Sequence, residues 1–115
     1  MSMLDTDLIP RTEGVFGSLA AEDFGSVKAQ MSFICARILT KRKVMGVWHD
    51  VITRSGQWIS SADTRTGYSA GNRAVGQTLL NYEAGQWLGK VAYNKAGRIT
   101  GLLIMPPTET ANVPF

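Results

Sequence analysis

The sequence predicts an α+β fold in which three N-terminal helices pack on a curved, mostly antiparallel four-stranded sheet. Three observations carry this expectation. Before about Ser55 the apolar residues recur at i, i+3, i+4 and i+7, whereas after it they alternate with a period of two. Residues 86–107 read as a β-hairpin around the turn Asn94-Lys95-Ala96-Gly97, closed by Pro106-Pro107. The last strand carries apolar side chains at consecutive positions, Leu102-Leu103-Ile104-Met105, so both of its faces need cover.

Composition bounds what such a fold can be. A chain of 115 residues with 44% hydrophobic and 18% charged residues is one domain with one core. We place that domain at residues 10–107, between tails at 1–9 and 108–115. No apolar run approaches the roughly 18 residues a membrane span needs. The opening residues are acidic and lead into no apolar segment, so a leader is not indicated and a cytoplasmic location is expected. Cys35 is the only cysteine, which excludes an internal disulfide and an all-cysteine metal site. The net charge of +3 is spread along the chain apart from Lys41-Arg42-Lys43, so neither nucleic acid nor membrane is expected as a partner.

Taken in order, Pro10 opens a short helix to about Ala21, with Val15, Phe16 and Leu19 as its apolar face. Gly14 and Gly17 lower its propensity, so packing must hold it. The longest helix is expected over residues 24–39, where Phe24, Val27, Met31, Ile34, Cys35, Ile38 and Leu39 keep helical rhythm. Thr40 then caps a third helix to about Arg54, with Val44, Val47, Trp48, Val51 and Ile52 on its buried face. Ser55-Gly56 ends the helical part. A strand begins at residues 57–61, and residues 63–68 either continue it or loop out. Ser69-Ala70-Gly71-Asn72 is a turn, residues 73–83 form the next strand, and Ala84-Gly85 links tightly to the hairpin.

In the last strand, strict alternation sets Ile99, Leu103 and Met105 on one face and Leu102 and Ile104 on the other. Only one set can meet the helices. The other is expected to be covered by a second copy, giving a homodimer paired through the outer face of the sheet.

Residues with chemical potential are few. Cys35 sits in an apolar stripe with no base or cation beside it, which makes it a small buried hydrophobe rather than a reactive thiol. His49 is the only histidine, and neighbouring Asp50 points about 100° away on a helix, so the two form no oriented acid-base pair. Asp63 and Arg65, two apart on a strand, would share a face as a carboxylate held by a guanidinium. No Gly-rich phosphate loop and no nucleophile elbow is present, and neither a metal nor a cofactor is called for. Helices laid across a curved sheet enclose a cone, and its candidate pocket lining is Trp48, Trp58, Arg65, Gln77 and Tyr82. Trp87 and Tyr93 stand on strands and belong either to that lining or to the outer surface.

Several segments together resemble a known family: Leu19-Ala20-Ala21-Glu22-Asp23-Phe24 before a long helix, Val47-Trp48, Gly56-Gln57-Trp58, and the run from Val91 to Leu102 with Pro106 closing the strand. Over residues 14–107 the chain is similar to the bacterial domain of unknown function 3887, within the nuclear-transport-factor-2-like, or cystatin-like, superfamily. The resemblance implies a cone-shaped α+β fold and dimers through the sheet, and it brings no catalytic residues. The expected function is a non-catalytic module that binds a small hydrophobic ligand or a protein in an apolar cone. The alternative is a small cofactor-independent cyclase, isomerase or hydrolase, which would hold Asp50, Asp63 or Glu83 inside the cavity with its pKa raised.

Overall fold

The computed structural model describes residues 8–68 and 74–106. The expected tails fall largely outside these residues, as does the turn at Ser69-Ala70-Gly71-Asn72. Helices α1 (Leu8–Ala20), α2 (Phe24–Lys28), α3 (Phe33–Ile38) and α4 (Lys41–Ser55) precede strands β1 (Trp58–Tyr68), β2 (Ala74–Tyr82), β3 (Gly85–Tyr93) and β4 (Ile99–Met105). The four strands form one antiparallel sheet in the order β1-β2-β3-β4, with β1 and β4 at its edges.

The expected N-terminal tail is too long by two residues, because Leu8 is fully buried and opens α1. Helix α1 lies across β1, β2 and β3 on the inner face of the sheet. Its approach depends on two strand glycines: a Cβ on Gly76 would fall 1.9 Å from the Thr12 hydroxyl oxygen, and one on Gly89 would fall 2.4 Å from Phe16 Cζ. The Thr12 hydroxyl also meets the Tyr93 hydroxyl at 3.1 Å, and the Arg11 guanidinium stands 4.9 Å over the Tyr93 ring.

The long helix expected over residues 24–39 is two short helices with a strand-like residue between them. Met31 leaves the helical path to bridge Ile99: the Ile99 amide donates to the Gln30 carbonyl, and the Ser32 amide donates to the Ile99 carbonyl. Each new helix has its own cap. The Asp23 carboxylate accepts from the Ser26 amide, and the Ser32 hydroxyl accepts from the Cys35 amide. The apolar rhythm survives in Phe24, Val27, Met31 and Cys35, which are buried, but Phe33, Ile34 and Ile38 are turned out to the surface. The longest helix is α4 instead. Thr40 caps it as expected, and Val44, Met45, Trp48 and Val51 are its buried face, while Val47 is half exposed.

Three register shifts decide which strand residues face the helices, the first at Ile59 between the pairs Trp58↔Tyr82 and Ser60↔Asn81. In β1, the pairs Ala62↔Leu79 and Arg65↔Gln77 enclose two residues opposite Thr78 alone, and Asp63 takes φ 49° there. Strand β1 therefore continues to Tyr68, and spacing alone no longer sets Asp63 and Arg65 on one face. In β4, Tyr93 pairs with Ile99 but Ala92 pairs with Gly101, so Thr100 is the extra residue. This shift corrects the expected parity of the last strand. Ile99, Leu102 and Ile104 share the inner face, because their partners Tyr93, Val91 and Gly89 do, while Leu103 faces outward. The outer face has an apolar patch of its own, since Val75 and Leu88 are buried there apart from the main core.

Candidate functional site

Five residues were candidates for a common pocket, and the sheet separates them into two groups. Trp58 and Tyr82 are cross-strand partners on the inner face, and Trp48 reaches them from α4. The Trp48 ring centroid lies 6.5 Å from that of Trp58 and 5.8 Å from that of Tyr82, both pairs tilted by 54°. Arg65 and Gln77 pair with each other on the opposite face, because Gln77 alternates with Thr78 and Leu80 along the unbulged β2. The expectation that they rim the same pocket is corrected accordingly.

The aromatic trio carries polar atoms left without protein partners. Among the described residues, Trp48 Nε1, Trp58 Nε1, the Tyr82 hydroxyl and the nearby Ser61 hydroxyl are buried and make no hydrogen bond. A buried donor without a partner costs about 1–3 kcal/mol, and four of the five such side-chain atoms among the described residues lie on this inner face. Trp87 shows the contrasting case: it lies on the same face, and its Nε1 donates to the Ser55 hydroxyl at 2.8 Å. Burial pushes the Tyr82 hydroxyl far above the ordinary tyrosine range.

A polar chain that the sequence did not disclose runs beside the β1 bulge. The Thr64 hydroxyl donates to the Glu13 carboxylate and stands 2.8 Å from the Thr78 hydroxyl, which in turn lies 3.1 Å from the Ala62 carbonyl. Glu13 gave no signal because its partners depend on the bulge at Asp63. The polar α1 position amid Thr12, Val15 and Phe16 was the available hint.

On the outer face, Arg65, Gln77 and Lys90 form one row across β1, β2 and β3. Burial, and secondarily the Arg65 charge, hold the Lys90 ammonium below the ordinary lysine range. The Gln77 side chain is buried, and its Oε1 is without a partner among the described residues.

The second concave region lies between α3, α4 and β4. A cavity of about 180 Å³ is lined by Leu19 of α1, by Leu39, Lys43, Val44 and Val47, and by Leu102, Leu103 and Ile104 of β4. Beside it a shallower hollow of about 610 Å³ runs between α3 and the start of β4, among Phe33, Ile34, Ile38 and Gly101. Five of the seven large apolar residues exposed among the described ones stand around this region, Phe33 at 76%, Ile34 at 70%, Ile38 at 57%, Val47 at 50% and Leu103 at 49%, whereas Ile59 and Tyr68 are on β1.

The groups considered for acid-base work stand elsewhere. Asp50 pairs with Arg54 at 3.0 Å on the surface of α4, Asp63 is exposed at its bulge, and Glu83 is exposed and accepts from the Gln57 amide. His49 does have a carboxylate neighbour, Glu22 rather than Asp50, at 2.9 Å and in the open. Cys35 is buried, and burial raises its thiol pKa. Among the described residues, no three His, Cys, Asp or Glu side chains gather as metal ligands, and no helix is long and apolar enough to cross a membrane.

Comparison of the chain with family models, curated proteins and solved structures finds no match.

Proposed function

We propose that this chain is a non-catalytic binding module that docks an apolar partner on the face built by α3, α4 and β4, within a fold of the cone-shaped, nuclear-transport-factor-2-like kind. One observation carries the reading: four large apolar side chains on the two helices, Phe33, Ile34, Ile38 and Val47, stand exposed around two adjoining hollows, with Leu103 at the strand edge of one of them. Such residues scattered singly need no explanation, but a contiguous patch of several hundred Å² marks an interaction surface. The exposed positions of Asp50, Asp63 and Glu83 favour binding over proton transfer, since none is desolvated in a hollow.

The test uses an apolar fluorescent dye at protein concentrations low enough to keep any self-association dissociated. The unmodified protein should enhance the dye's emission, and a Phe33→Ser/Ile38→Ser variant should lose most of that response while keeping its melting temperature. A folded protein that leaves the dye dark, or a variant that binds it equally well, would refute the reading.

A second reading has its own support. The unpartnered donors of Trp48, Trp58, Tyr82 and Ser61 favour a small aromatic or aliphatic guest with hydrogen-bond acceptors, held by ring contact and two indole N–H groups. A guest of this kind should quench or shift indole emission, and Trp48→Phe should remove most of that change. An unaltered response in Trp48→Phe would place the guest elsewhere.

A further inference from the structure

The apolar face just described ends on a sheet edge, and the two edges of this sheet are built differently. Strand β1 interrupts its edge with two register shifts and carries Asp63 and Arg65, the devices that keep an edge from pairing with another chain. Strand β4 has neither protection beyond its bulge at Thr100: Ile-Thr-Gly-Leu-Leu-Ile-Met contains no charge and no proline. The Gln30–Ser32 segment covers its edge at Ile99, and beyond that β4 borders no further strand among the described residues.

We propose that the occupant of this face is a second copy of the same chain, with β4 pairing antiparallel with the partner's β4 to make one continuous eight-stranded sheet. The proposal rests on the binding reading above and names its partner. Because the strand is uncharged, no like charges oppose one another along the two paired β4 edges themselves. A two-fold axis perpendicular to the sheet keeps the helices of both copies on one side. It also brings α3 and Val47 of each copy over the seam, where Phe33, Ile34 and Ile38 cover their equivalents. The exposed apolar side chains Phe33, Ile34, Ile38 and Val47 of each copy, together with the strand edges, supply the contact, and a standard interface takes roughly 800 Å² from each partner. The arrangement differs from pairing through the outer face, which leaves α3 and the β4 edge bare.

Sedimentation velocity and hydrogen exchange test it together. The unmodified protein should sediment as a dimer at high micromolar concentration, and the amides of residues 102–105 should gain protection as concentration rises. Leu103→Lys, which sets like charges near the axis, and Ile34→Asp/Ile38→Asp should each weaken dimerisation by at least about tenfold. Asn81→Arg, on the outer face, should not. A monomer at that concentration, a dimer broken by Asn81→Arg, or β4 exchange that ignores concentration would overturn the proposal. The exchange measurement decides the matter even if a variant fails to fold. A monomer that still binds the dye would sink the second copy while leaving the binding face standing. In that case an acidic apolar peptide, drawn by Arg37 and Lys43, is the occupant to try. A dark dye would sink the face itself.

Discussion

Phe16 of α1 rests on Gly89 of β3 so closely that a Cβ there would come within 2.4–2.9 Å of three ring carbons. Every real Cβ contact is longer, so the missing side chain is what lets the helix settle on the sheet. Gly89→Ala must therefore move either the ring or the strand, and overpacking of this kind costs about 1–3 kcal/mol. Chemical denaturation should show that loss. Gly89→Ala combined with Phe16→Leu should recover part of it, because the smaller side chain vacates the space. Loss that is merely additive in the double variant would show that the ring is not the obstacle.

Alternation along β4 makes two neighbouring leucines respond oppositely to charge, and the bulge at Thr100 puts Leu102 on the face of Ile99. Leu102 packs against the main core and Leu103 is half exposed on the other face. Leu102→Asp sets an unpaired carboxylate against the core from a half-buried position and should cost about 1–3 kcal/mol. Leu103→Asp should leave the far-UV circular dichroism and the melting temperature of the monomer nearly unchanged. Equal damage at both positions would contradict the shifted register.

That register also shows where the sequence was readable and where it was not. The change of hydrophobic period at Ser55 located the boundary between helices and sheet, because each period reports a local geometry. Long-range demands overrode it within the elements. Ile99 takes its edge hydrogen bonds from Gln30 and Ser32, and no periodicity within residues 24–39 could disclose a partner so far along the chain. Ser32 was the available clue, as a cap residue in the middle of a supposed helix. Likewise Thr100 and Gly101 look unremarkable in a strand, yet the extra residue there moves Ile99 onto the face of Leu102 and Ile104. Trp48, Trp58 and Tyr82 were legible as a group because large aromatics find one another in the core. Gln77 misled, since its burial is on the outer face.

Alkaline titration should separate the tyrosines. Burial raises the Tyr82 pKa, and it raises that of Tyr93 against the opposing effects of the Thr12 hydrogen bond and the Arg11 charge. A group whose folded pKa lies above its unfolded value, near 10 for tyrosine, contributes stability that is complete below that value and lost as pH rises beyond it. Two of the three tyrosines should thus ionise only as the protein unfolds, in a cooperative absorbance step above about pH 10. A smooth titration of all three with native circular dichroism retained would show that Tyr82 and Tyr93 are not shielded.

His49 bears on whether the molecule performs acid-base chemistry. Its Nε2 contacts both Glu22 oxygens, at 3.0 and 2.9 Å, so the pair ties the start of α2 to α4. Both side chains are more than half exposed, 54% for His49 and 58% for Glu22, and water screens their attraction. An exposed pair of this kind is worth about 0.2–1 kcal/mol, and less once salt is added. His49→Ala should therefore lower the melting temperature by a few degrees at most, and should leave dye binding at the α3–α4–β4 face unchanged. Glu22→Gln should do the same, and the double substitution should cost little more than either single one. If His49→Ala instead abolished turnover of some metabolite while the protein stayed folded, the exposed histidine with its Glu22 partner would be acting as a general base, and the molecule would have to be read as an enzyme.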